Sequence, residues 1–296
     1  AWAELQARTS SLLAPLLEPW AAALAEAAGE ALAEGASPLD GAKVVLLADA
    51  PLSGLPLEAL EALAPCASVT RDFSLHTLHA RLEEGGREAT LPGAQVKYML
   101  DLRAEDKEDA PTRMPGREAE PMSVCFPARV AEPFFGKDAK ALAGTEQAYV
   151  GEGECQHEMN KAPGVVYFGM GRFAAHVSPE SLSCLDLSPT SLVVVLDRVN
   201  NEECQRRQSY LDNRKTAAQL KLEEPWAVAG LLTVRGAKCV AVTTAASTVD
   251  DNVGVAAKLF AAATGGAGVG EAARTATKPD PPAEVKEGED PPAVRH

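Results

Sequence analysis

The chain has 296 residues, with 28 lysines and arginines against 42 aspartates and glutamates, a formal net charge of −14. That balance excludes a phosphate-tracking nucleic-acid binder, which needs a basic stripe, and aromatics at 5% leave little for base stacking. Hydrophobic residues at 46% can build a substantial core, yet the longest apolar run falls far short of the ~18 residues of a membrane span. The composition points to an acidic, soluble, intracellular globular protein with no nucleic-acid or membrane partner.

Residues 2–33 read as helix. Leu5, Leu12, Leu13, Leu16, Leu17, Trp20, Leu24 and Leu32 recur at helical spacing among alanines, with Pro15 and Pro19 as breaks or kinks. After a turn-rich stretch at 35–41, the apolar run 43–49 predicts a strand buried on both faces. A short helix over 57–63 and a strand over 67–70 follow. Ser74 is placed to cap a helix running to Leu82. Strands are expected at 96–101, 165–169, 192–196 and 239–243. The span 212–232 predicts helix interrupted near Pro225, and Asp251 predicts the cap of a last helix over 253–263.

Alternating strands and helices imply an α/β fold, a mainly parallel sheet covered on both faces in three layers. The domain is expected to span residues 1–264. Within it, 103–162 mixes charge, Pro and Gly and reads as a loop-rich insertion packed outside the sheet. Residues 265–296, rich in Gly, then Pro and acid, are expected to be disordered. The chain opens on Ala1-Trp2 without a methionine, which reads as a piece of a much longer polypeptide.

The cysteines are Cys66, Cys125, Cys155, Cys184, Cys204 and Cys239. They form no CxxC pair and read as reduced thiols. Cys155 and His157, flanked by Glu154 and Glu158, make an incomplete metal set. His76 and His79 read as a solvated helix face. The glycines of 265–270 lack the Lys-Ser/Thr of a phosphate loop and read as linker. The acidic clusters Glu105–Asp109 and Glu284–Asp290 read as solvated loops. No cofactor and no metal are expected.

Two strand ends carry the most information, because active residues of open α/β sheets sit at the carboxyl ends of strands. One runs from Val165 through Gly169-Met170-Gly171-Arg172-Phe173; the other from Val193 through Asp197-Arg198-Val199. With Leu46–Asp49, Leu55-Pro56-Leu57-Glu58-Ala59-Leu60 and the closing segment Gly236–Val240, these blocks resemble the CHAT domain, the caspase- and separase-like cysteine-protease fold. The resemblance covers roughly residues 10–82 and 164–264. It implies a caspase-like sandwich and a His–Cys dyad. Met170 stands where the family carries its general-base His, and Val199 where it carries its nucleophilic Cys. A thioether takes no proton at neutral pH and an isopropyl group is no nucleophile. The resemblance therefore implies a pseudoprotease without catalytic residues.

Ser68–Leu75, Val96–Asp101 and Leu187–Asn201 also resemble the C-terminal region of very large, TPR-containing ciliary proteins. That resemblance implies a place in the cytoskeleton of the cilium or flagellum, on the central apparatus of the axoneme. It also implies partners among the central-pair projection proteins and, directly or indirectly, the central-pair microtubules. Two other readings stay open. One is an active cysteine peptidase using His176 with Cys204 or Cys184; the other is a small-molecule or nucleotide-binding α/β domain. Against the first, His176 reads as a loop residue, and Cys204 sits in Glu202-Glu203-Cys204-Gln205-Arg206, where carboxylates make a poor thiolate. Cys184 reads as a half-buried loop residue.

Overall fold

The computed structural model describes residues 39–49, 52, 54–55, 57–84, 96–100, 125–136, 141–144, 149–160, 162–199, 202–264 and 271–272, and positions 7–8, 10–13, 15 and 19. The described N-terminal positions are helical, and Leu13 packs on a small apolar core. The rest of the expected first helix, the acidic clusters, the glycine run and nearly all of the tail lie outside the described residues.

Among the described residues, seven strands, all parallel, fall in two sheets. β1 (Lys43–Leu47) pairs with β2 (Ser68–Asp72). β3 (Val96–Leu100), β4 (Ala141–Ala143), β5 (Gly164–Phe168), β6 (Leu192–Leu196) and β7 (Val240–Val242) form a five-stranded sheet in the order β4-β3-β5-β6-β7. Numbered within that sheet, the order is 2-1-3-4-5, a doubly wound arrangement whose direction reverses between β3 and β5. The fold is α/β with a mainly parallel sheet, as the alternation predicts.

Every residue of β5 and β6 is buried, so their Val-rich runs show no alternation, as strands covered on both faces should not. Odd and even positions separate into two cores. Tyr98, Val166, Phe168, Val194 and Leu196 meet α9 (Val249–Thr264) and a π-helical turn, Pro127–Ala131, running into α2 (Glu132–Phe135). Met99, Val165, Tyr167, Val193 and Val195 meet α3 (Glu152–Met159), α4 (Phe173–His176), α5 (Pro179–Ser183) and α8 (Pro225–Val234). Helix, sheet and helix therefore form three layers. Among the described residues, no helix is long and apolar enough to cross a membrane.

Four expectations are corrected. β1 is not buried on both faces: its residues alternate exposed and half-buried, with Val45 40% and Leu47 42% exposed. Only Val44 and Leu46 turn toward the third core, built on Leu57, Leu60, Leu63 and Val69. The run looked fully buried because all its side chains after Lys43 are apolar. The face that carries Val45 and Leu47 is open to solvent. Nor does the described part of 103–162 lie outside the sheet. Phe126 and Val130 are fully buried against it, β4 extends it, and α3 buries Cys155 and Met159 on its face. Charge and Pro in the flanking segments obscured these short elements.

The third correction concerns α9, which starts at Val249. Thr248 accepts from Asp251 N–H at 3.1 Å and donates to the Asp251 carboxylate at 2.7 Å. Asp251 thus closes a capping box from inside the helix. Fourth, the segment 57–63 forms two 3₁₀ turns, Leu57–Ala59 and Glu61–Leu63. Ser74 does accept from Thr77 N–H, at 3.1 Å, at the start of α1 (Leu75–Glu84). α7 (Ala217–Leu222) and α8 part at Glu223-Glu224, just before Pro225.

The small sheet docks on the large one through Phe73, whose ring lies 4.3 Å from that of Trp226 on α8. Arg81 of α1 also donates to the carbonyl of Lys238, just before β7. α8 itself ends in a Schellman turn. Ala237 N–H donates to Leu232 C=O and Gly236 N–H to Thr233 C=O. Gly236 has φ +105°, and a Cβ there would stand 2.8 Å from the backbone nitrogen of Ser188. Both backbone conformation and space are denied to a side chain. Gly236→Ala should cost about 2–4 kcal/mol, read as a lowered urea midpoint with an unchanged m-value.

Candidate functional site

The carboxyl ends of β5 and β6 are laced together. Gly169 N–H donates to Leu196 C=O at 3.1 Å, and Val199 N–H donates to Met170 C=O at 3.2 Å. Met170 and Val199 thus stand side by side at the ends of adjacent parallel strands. Both side chains are buried, 2% and 6% exposed, in the α9-side core with Phe168, Val194 and Cys204. The two dyad positions of the resemblance hold packing groups with no proton to give or take. Val199 also bridges to Ser247 beyond β7. Arg198, between Asp197 and Val199, takes φ +63°, a conformation uncommon outside glycine.

Around this seam the polar groups are committed to one another. Asp197 accepts from Phe173 N–H at 2.9 Å and from the Thr243 hydroxyl at 3.1 Å. It ties the end of β6 to the start of α4 and to the segment after β7. Arg172 pairs with Asp212 at the end of α6 (Glu202–Asp212) and with Glu223 between α7 and α8. Lys215 reaches Glu223 from the other side, and Arg198 donates to its backbone carbonyl at 3.5 Å. Three cations and three carboxylates thus hold the loops at this end of the sheet.

Burial pushes the Asp197 carboxyl above its ordinary range, against its hydrogen bond from Phe173 and the nearby Arg198 and Arg172. The folded chain therefore holds this proton to higher pH than the unfolded one. Stability contributed by Asp197 is present below the ordinary carboxylate pKa, about 4, and is lost as pH rises toward the raised value. Asp197→Asn keeps an acceptor for Phe173 and cannot ionise. Urea midpoints of the two proteins across pH 3–7 should diverge, the variant gaining on the native chain as pH rises. Parallel curves would contradict the raised value.

The other candidates are dispersed or brought together as follows. His176 is the last residue of α4 rather than a loop residue, its ring 6.0 Å from that of Tyr167. Cys204, within its polar stretch of sequence, is buried. The two line one cavity of about 10 Å³, shared with Arg207 and Gln208. Their separation of 28 positions hid this meeting. The helical register 204, 207, 208, 211 was its one available sign. Cys184 is exposed at the end of α5.

Cys155 is buried, and desolvation, then Glu154 and Glu152, push its thiol up to about 11. Its side chain packs in the core on the α3 side of the sheet. Among the described residues no group of three His, Cys, Asp or Glu side chains is placed to hold a metal ion. His79 pairs with Glu83 on the exposed face of α1. A larger concavity, about 220 Å³, lies between β3, β4 and α3 against Lys97, Met99, Leu142 and Glu158. It sits along the strands, away from the switch point where doubly wound sheets hold nucleotides.

No family model matches the chain. Over 236 residues, 69% of its length, the chain is 30% identical to Cilia- and flagella-associated protein 46 of Chlamydomonas reinhardtii. The match spans 8% of that protein.

Proposed function

We propose that this chain is a non-catalytic structural and protein-interaction module of a ciliary protein, on a central-pair projection of the axoneme, and that it supports assembly and motility. The observation that carries the reading is the 30% identity, over 69% of the chain, to a protein named for cilia and flagella. The finer placement in the central apparatus rests on the resemblance of Ser68–Leu75, Val96–Asp101 and Leu187–Asn201. Its partners would be neighbouring projection proteins and, directly or through them, central-pair microtubules.

Lack of catalysis is supported by Met170 and Val199 at the dyad positions, both sealed in the core. The fold alone does not decide this, since one doubly wound sheet serves many functions. A peptidase built on His176 and Cys204 is disfavoured by size. Their shared cavity of about 10 Å³ admits a water-sized group, not a peptide.

The test is replacement in a ciliated cell, with variants placed in the full-length polypeptide. Met170→Leu keeps volume and should leave axonemal retention and beating intact. Val194→Asp should deplete neighbouring central-apparatus proteins from detergent-extracted axonemes and impair beating. Absence of the native protein from extracted axonemes would end the ciliary reading. Loss of motility with Met170→Leu in a fully assembled axoneme would point to a ligand or chemistry at the strand ends.

A further inference from the structure

Residues 213–222, the turn after α6 and the whole of α7, depart from one ion cluster and return to it. Asp212 before them and Glu223 after them both pair with Arg172, and Lys215 reaches Glu223 from within the segment. None of these residues is buried. A helix as short as α7 does not stand by itself in water. Thr216 and Gln219 close a capping box at its start, and the ion cluster holds its end. The segment is thus kept in place by a cap and by charge rather than by burial. Apolar groups stay outside: Leu222 at the end of α7 and Tyr210 on the last turn of α6 both stand exposed.

The charges here are unevenly matched. Asp212 and Glu223 are taken by Arg172 and Lys215, and Glu224 lies within electrostatic reach of Arg198. Arg214 and Lys221 are exposed, and among the described residues neither pairs with a carboxylate. The Arg214 guanidinium lies 4.6 Å from the centre of the Tyr210 ring and donates to its hydroxyl. Stacking fixes the planar fork in advance and leaves its other donors for a carboxylate. On a chain of net charge −14 this is a positive, aromatic edge.

We propose that this edge, made of Tyr210, Arg214, Lys221 and Leu222, is an interaction surface whose partner is an acidic peptide segment of another protein. One carboxylate of that segment takes the Arg214 fork in paired hydrogen bonds. Another meets Lys221, and an apolar side chain between them covers Tyr210. Tyr and Arg are the residue types that dominate contact energies at interfaces. Charge complementarity selects the occupant, since a basic segment would meet two unmatched cations and be repelled. The inference deepens the interaction-module reading and rests on it.

The probe is a fluorescein-labelled peptide of glutamates around a central leucine and phenylalanine. Its counterpart with glutamines in place of glutamates is the uncharged control. Fluorescence anisotropy follows each as the native chain is added, at salt concentrations of about 50 and about 300 mM. Arg214→Gln combined with Lys221→Gln removes both unmatched cations. Lys43→Gln combined with Arg129→Gln removes the same charge from exposed residues of other elements.

The glutamate peptide should bind the native chain, severalfold more weakly at the higher salt. The Arg214 and Lys221 double variant should bind it about tenfold more weakly than the native chain. Tyr210→Ala should lose severalfold, and the Lys43 and Arg129 double variant should stay close to native, all at unchanged urea midpoints. Absence of saturable binding at low salt would overturn the proposal. So would equal binding of the glutamine peptide, or equal losses in the two double variants. If the urea midpoint of the Arg214 and Lys221 variant falls, Lys221→Gln alone decides, because that side chain has no ion pair to lose among the described residues; native binding by it would overturn the proposal. A chain that binds no acidic peptide leaves the ciliary reading standing. A protein absent from axonemes ends that reading and leaves the peptide result as it is.

Discussion

Val194→Asp should abolish the folded domain rather than weaken it. Val194 sits at the middle of β6, 1% exposed, paired with Val166 of β5 on one side and Ala241 of β7 on the other. Its side chain points into the α9-side core with Phe168, Leu196 and Phe260. Removing the valine forfeits about 2 kcal/mol of burial. Placing a carboxyl there without a partner costs several more, even if it neutralises by taking a proton. The sum approaches the whole stability of a domain, about 5–15 kcal/mol. Val194→Ala carries only the first cost and its cavity, about 2–3 kcal/mol, and should stay folded with a lowered urea midpoint. The measurement is soluble yield and far-UV circular dichroism for Asp, urea unfolding for Ala. A soluble Val194→Asp chain with a native midpoint would mean that β6 is not the buried centre of the sheet.

That centre was legible in the sequence for a physical reason. A strand covered on both faces needs apolar side chains in both directions, and Leu192–Leu196 and Val165–Phe168 supply them without interruption. The same rule misled at Lys43–Leu47. An apolar run is necessary for a doubly covered strand but not sufficient, because cover depends on neighbours distant in sequence. Among the described residues β1 pairs only with β2, and Val45 and Leu47 stand exposed. Elements of three to five residues were harder still. β4 is Ala-Leu-Ala, too short for any period, and its strand character comes from the hydrogen bonds that β3 offers it.

The site divides along the same line. Gly169-Met170 and Asp197-Arg198-Val199 were placed at strand ends because each follows directly on a legible strand, and their adjacency follows from parallel pairing of β5 with β6. What joins those ends sideways left no trace in local sequence. Asp197 reaches Phe173 and Thr243, 24 and 46 positions away. Arg172 reaches Asp212, 40 positions away. No periodicity encodes such distances; they are set once the helices have docked. The meeting of Cys204 and His176 at one cavity is of this kind.

Arg172→Ala should cost about 2–3 kcal/mol, less than Val194→Asp but more than any exposed ion pair at this surface. Arg172 is 18% exposed and its partners Asp212 and Glu223 are 24% and 6% exposed. A surface pair of the same geometry would contribute at most about 1 kcal/mol. The difference lies in what is left behind. Without the guanidinium, Glu223 remains buried with Lys215 as its one paired cation, and its Oε2, 2.8 Å from Arg172 but without hydrogen-bond alignment, loses its counter-charge. That misalignment places the expected loss at the low end for a buried pair. Arg172→Lys should not restore the native midpoint, because a single ammonium cannot bridge two carboxylates as a planar guanidinium does. The double change Arg172→Met with Glu223→Met should recover most of the loss, since replacing a buried pair with apolar groups removes the desolvation cost along with the attraction. Urea midpoints of the four proteins check this. A double variant no more stable than Arg172→Ala would show that the network fixes the loops at the strand ends by direction rather than by charge balance.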